Sequence, residues 1–205
     1  FNEVSSKWAG GQNITGPVLV LPYTETTTGD KGQAVVLTKL AYLLPDKLTI
    51  ESEVKPEERH RGIFQVMLYS SVIRLSGKFK MIPLEQLKLD TTQLLWNEAY
   101  ICMELGDSRG LREEIKVAWN DSSVTLNPSL IDNAVMKEGF IAPVALSADK
   151  EIQFSSSITI NGSEQLLFTP VGKETIVKLS SAWPDPSFTG GQLPDHRISD
   201  SGFVA

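Results

Sequence analysis

The sequence predicts a mainly β chain: a large antiparallel β-sandwich, extended toward a two-sheet supersandwich, with one or two short helices near 83–96. Three observations predict it. Short apolar runs with period-two alternation recur from Val18 to Leu179, the pattern of strands buried on one face. Gly, Pro, Asn or Asp punctuates most of the intervals between them. Only one stretch, residues 83–96, carries a helical stripe.

The elements follow in chain order. Val18 to Leu21 is a continuous apolar run between Pro17 and Pro22 and reads as a buried strand behind a glycine-rich approach. Residues 24–32, rich in Thr with two glycines, read as an exposed loop, and residues 33–44 as a strand stopped by Pro45-Asp46. Leu48, Ile50 and Val54 alternate with polar neighbours, and residues 55–60 (KPEERH) read as a charged turn. Both faces of residues 63–69 are apolar, which fits a central strand covered on both sides. Ser70-Ser71 reads as a link to a further strand through Ile73, Leu75, Phe79 and Met81, with Gly77 as a bulge.

Pro83 suits a first helical position, and Leu84, Leu87, Thr91, Leu94 and Leu95 repeat at about 3.6 residues. Asp90 followed by two threonines offers a second helix start. Strand character returns at Tyr100, then at Ile115, Val117 and Trp119, and across the Asn120–Ser123 turn at Val124 and Leu126. Residues 127–138 are undecided, with a helical turn after Pro128 as one reading. Residues 140–146 form a strand that Pro143 places at an edge. Ile152, Phe154, Ile158 and Ile160 alternate strictly, and Asn161-Gly162 reads as a tight hairpin turn before Leu166 and Phe168. Val177 and Leu179 make the last strand, and the Pro- and Gly-rich tail reads as ordered loop.

At 205 residues and 41% hydrophobic content the chain can bury a full core, and we read residues 1–205 as a single domain. A net charge of -6 excludes the basic face that nucleic acid requires. One cysteine, Cys102, permits no internal disulfide; set in the run Tyr100–Met103, it reads as a buried small hydrophobe. No apolar run reaches the ~20 residues of a membrane helix.

Chemistry is sparse. The two histidines, His60 and His196, have no His or Cys at ligand spacing, so no metal site is predicted. No nucleophile elbow, phosphate loop or dinucleotide fingerprint is present, so no catalytic residue and no cofactor is assigned. Asp185, Asp195, His196 and Asp200 read as a charged loop in preference to a carboxylate site. Three glycosylation triplets, at Asn13, Asn120 and Asn161, carry no functional weight. Trp96 and Trp119 read as core. Trp8 and Trp183, with Asp185, His196 and Arg197, make up the candidate binding set, because an exposed tryptophan beside charged groups suits a sugar or protein contact.

Four segments in order resemble the CreD family of inner-membrane, cell envelope integrity proteins: residues 8–23 (WAGGQNITGPVLVLPY), 42–63 (YLLPDKLTIESEVKPEERHRGI), 106–111 (GDSRGL) and 161–203, which opens NGSEQLLF and holds AWPDPSF, LPDHR and GF. Gly106 and Leu111 depart from the serine and isoleucine more usual in the family. The resemblance implies a soluble domain on the periplasmic face of the bacterial inner membrane, with flanking transmembrane segments outside this chain. It also implies links to colicin tolerance, the β-lactam response and the CreBC regulon. The expected function is non-enzymatic, through an envelope protein or glycan as partner. Carbohydrate binding, hydrolysis near the C-terminal loop and ligand sensing are the alternatives. If the chain enters near Trp8 and leaves near Phe203, its two ends are expected on one side of the fold.

Overall fold

The computed structural model describes residues 9–205, apart from 62–63, 81, 83–88, 131–135, 137, 148, 192, 196 and 200, with backbone alone at 59–61, 64–66, 138 and 197. Among the described residues thirteen strands form one sheet: β1 (Gln12–Thr28), β2 (Ala34–Leu43), β3 (Lys47–Arg61), β4 (Phe64–Phe79), β5 (Tyr100–Leu105), β6 (Ile115–Trp119), β7 (Ser122–Leu130), β8 (Glu138–Pro143), β9 (Ile152–Ser163), β10 (Leu166–Thr169), β11 (Glu174–Ser181), β12 (Arg197–Ser199) and β13 (Gly202–Val204). The mainly β fold is as the alternation predicts. The sheet is mixed, because β1 pairs β10 and β3 pairs β11 in parallel while the other ladders are antiparallel.

The sheet bends at β7. Its first half, to Leu126, pairs β6, and its second half, from Asn127, pairs β8. On one side of the bend lies the layer β10-β1-β5-β8, with β2 also on β1. On the other lies β6-β9-β4-β3-β11-β13-β12. One core cluster joins the layers: Ile14, Leu19, Leu21, Ile101 and Met103 come from the first, and Leu48, Ile50, Ile73, Leu75, Ile158 and Ile160 from the second. Each such side chain contributes about 1.5–3 kcal/mol by leaving water. Phe79 closes one end, 5.8 Å from the ring of Trp119 and 5.3 Å from that of Phe154. A smaller cluster of Val18, Val20, Cys102 and Met136 covers the outer face of β1. Burial on both faces explains why the run from Val18 to Leu21 does not alternate.

Several local readings change. Residues 24–28 continue β1, and residues 55–61 continue β3, so each forms part of a long two-stranded arm rather than a loop or turn. Ser70 and Ser71 lie inside the unbroken β4, between β3 and β9, and Gly77 pairs in register on both sides without a bulge. Pro128 lies within β7, and Pro143 ends β8, which is flanked by β5 and β7 rather than being an edge. The short helices expected near 83–96 are, among the described residues, the two 3-10 turns Thr91–Gln93 and Trp96–Glu98, while residues 83–88 lie outside the described residues. Asp90 caps the first turn, accepting from the N–H of Thr92 at 2.9 Å. The tail is not loop throughout, since β12 and β13 pair with each other and β13 with β11.

Asn161-Gly162 is not a turn. Both residues lie within β9, paired with Ser70 and Tyr69, and the reversal comes at Glu164, whose φ is 67°. β10 then joins the other layer alongside β1. Gly162 is required by packing: a Cβ there would collide with the ring and hydroxyl of Tyr69.

Candidate functional site

The C-terminal strands build the candidate site. β11 follows β3 only as far as the Ser181–Val54 pair, and β13 then lies against the end of β11. Gly202, with φ at 126°, lets this happen, because a Cβ there would collide with the Ser181 carbonyl. Beyond the end of β11 an open groove of 680 Å³ remains between β3 and the β12–β13 hairpin. Its walls include Val54, Ser181, Ile198, Ser199, Phe203 and Val204, with Glu53 and Lys55 ion-paired at 3.4 Å on its rim. Ile198 and Val204 are exposed, and the Phe188 ring meets that of Phe203 edge-on at 5.4 Å.

Of the candidate binding set, Trp183 and Asp185 come together beside this groove. The Trp183 indole N–H donates to the Asp185 carbonyl oxygen at 2.7 Å, and the Trp183 amide donates to Ser181 Oγ at 3.1 Å. The indole donor is therefore engaged within the chain, and the Asp185 side chain is exposed. Arg197 opens β12 opposite Val204. Trp8 and His196 lie outside the described residues, as do His60's side chain and Asp200. Among the described residues, no group of three or more His, Cys, Asp or Glu is placed to hold a metal ion.

A second cluster was not legible as a site. Level with the groove along the strands, where Lys55 pairs Ser70 and Ser70 pairs Asn161, the chain changes layers twice, once from β5 to β6 through the 3-10 turn Ser108–Gly110, and once from β9 to β10. Gln12 ties both crossings to β1. Its amide donates to the carbonyls of Asp107 (3.0 Å) and Asn161 (2.9 Å), and its oxygen accepts from the Asp107 N–H at 3.1 Å. Asp107 in turn accepts from the N–H groups of Gly10 (2.9 Å) and Arg109 (3.0 Å) and from the Arg109 guanidinium. That guanidinium outweighs the opposing effect of burial, and with the two backbone donors it holds the Asp107 carboxyl well below the usual carboxylate range.

Ser163, fully buried, donates to the Ala9 carbonyl at 2.9 Å, and the Tyr69 hydroxyl donates to the Gln165 carbonyl at 2.7 Å. Burial pushes the Tyr69 phenol above its ordinary value. Every polar side chain described here is spent on a backbone partner or on its neighbour, as buried polar groups demand. The corner therefore holds the two layers together. The only sequence signal for it was the concentration of glycines in the segments at 8–23, 106–111 and 161–203, all three of which meet here.

The family described as "Inner membrane protein CreD" matches residues 1–205. The chain is 26% identical over 209 residues to the "Inner membrane protein CreD" of Escherichia coli (strain K12), covering 100% of this chain and 46% of that protein. It thus spans about half the length of the curated relative it matches. No solved structure matches it. Among the described residues no helix is long and apolar enough to cross a membrane. With its whole length matched, the chain belongs to the CreD family of inner membrane proteins.

Proposed function

We propose that this chain is the periplasmic domain of its inner membrane protein and supports envelope integrity by binding an envelope protein or glycan, with no reaction of its own. The observation that carries the reading is the family match over all 205 residues. The shape of the C-terminal groove supports it. The lining is apolar and hydroxyl-bearing, the rim charges are already paired with each other, and the exposed Ile198 and Val204 line it, with Arg197 paired opposite Val204. Such a surface suits contact better than proton transfer, which needs a titratable group aimed at a substrate. Colicin tolerance and the β-lactam response would follow as consequences of an envelope held intact.

The test is crosslinking in living cells with a photoreactive residue at position 198 of the full-length membrane protein, and at Lys116 on another strand as a control. The reading predicts an adduct of defined mass at 198 and none at 116. Absence of any envelope adduct at 198, or equal labelling at both positions, overturns it.

A further inference from the structure

Ala9, Gly10 and Gly11 run ahead of β1 as a short strap across the polar corner. Ala9 is fully buried, yet its φ is 105°. A Cβ resists that conformation, which persists only where the surroundings over-determine it. Hydrogen bonds on two sides do so here. Ser163 contributes two, from its hydroxyl to the Ala9 carbonyl at 2.9 Å and from its N–H to the Gly10 carbonyl at 3.1 Å. On the other side, the Gly10 N–H reaches Asp107 Oδ2 at 2.9 Å. Ala9 and the two glycines bring only one methyl group to the packing. From Gln12 onward the footing differs, because Gln12 sits in the ladder with β10 and its side chain is bound at both ends.

We propose that Ala9–Gly11 is a strained clasp that opens as a unit at Ser163 and Asp107 while β1 stays in the sheet. Asp107 and Ser163 flank the two places where the chain changes layers, so a displacement of the chain ahead of Ala9 is delivered to both crossings at once. The clasp is a conformational device: docked, it ties the approach of the chain to both layers, and open, it uncouples that approach without unfolding the domain.

Site-resolved amide exchange on the 205-residue chain tests this. Ser163→Ala should speed exchange of the Gly10 amide about fivefold and leave Ile73 and Ile158 unchanged. Ala9→Gly, which relieves the strained φ, should slow it about fivefold. Equal acceleration at Gly10 and Ile73 in Ser163→Ala means that opening is global, and it overturns the proposal. So does an Ala9→Gly protein whose Gly10 exchange is unchanged or faster. If either variant fails to fold, the wild-type chain in a denaturant series decides. A Gly10 opening insensitive to denaturant supports the clasp, and one that tracks Ile73 rules it out.

Discussion

Gly10 and Asp107 stand 97 residues apart in the chain, and the N–H of one donates to the carboxylate of the other at 2.9 Å. The contact joins the approach to β1 with the crossing between β5 and β6. The same carboxylate is also bound by the backbone and guanidinium of Arg109. It is a small hub, largely shielded from water, with 14% of the side chain exposed.

A pH dependence follows from that hub. The Asp107 carboxyl is held below its unfolded value, so its contribution is fully present above the unfolded value of about 3.9 and is lost as pH falls toward the folded one. Asp107→Asn should therefore cost about 2 kcal/mol at pH 7, from weakened bonds to buried donors. The gap between the two proteins should stay constant from pH 8 to 5 and narrow below pH 4. Denaturant melts across that range check the sign. Arg109→Ala should cost much less than Asp107→Asn, because the Arg109 side chain is 61% exposed and solvent screens its pair.

The contact of Gly162 with Tyr69 can be tested by a double-mutant cycle. Gly162→Ala puts a methyl into the tyrosine ring and should destabilise by about 1–3 kcal/mol, the usual cost of overpacking. Tyr69→Ala removes both the ring and the bond to Gln165, and should cost about 3 kcal/mol or more. The double mutant should be less damaged than the sum of the two, because the collision is gone. Additive losses would place the strain elsewhere.

How much of this was legible depended on how far each residue's partner lies along the chain. Ile115, Val117 and Trp119, like Ile152, Phe154, Ile158 and Ile160, announce a buried face by local alternation, and the structure buries them. The strands of the two arms were misread for the opposite reason. Thr24–Thr28 and Lys55–Arg61 extend past the core, so no apolar face marks them. Asn161-Gly162 has the composition of a turn, but its glycine answers to Tyr69 on another strand, which local chemistry cannot show. The polar corner is the extreme case. Gln12, Asp107, Asn161 and Ser163 look like loop residues singly, and only the layer crossings bring them together. Trp183 and Asp185 were found as neighbours because they are two residues apart.

Cys102 should be inert in the folded protein. It is fully buried under the outer face of β1, its thiol lies 3.5 Å from the Val18 carbonyl, and burial pushes its pKa up to about 12. The thiolate is the reactive form, so labelling needs an opening of the domain. A chromogenic disulfide reagent at pH 8 should react at the rate of unfolding, and denaturant should speed it by orders of magnitude. Rapid native labelling would contradict this burial.

The two serines buried across β3 and β4 should differ in cost although each gives up one hydroxyl. Ser52 Oγ and Ser71 Oγ are 2.7 Å apart, and Ser71 also donates to the Glu53 carbonyl at 3.1 Å. With the Ser71 proton committed to that carbonyl, the Ser52 hydroxyl must donate to Ser71. Ser52→Ala therefore removes a donor from an oxygen that keeps its own bond, and should cost about 0.5–1 kcal/mol. Ser71→Ala leaves the buried Ser52 hydroxyl without its acceptor and removes the bond to the Glu53 carbonyl, and should cost about 1–3 kcal/mol, the price of an unsatisfied buried group. Replacing both with alanine frees the Ser52 site of its stranded donor, so the double mutant should be no less stable than Ser71→Ala alone. Urea melts of the three proteins give the ordering. An equal loss in the two single variants would mean that the proton runs the other way.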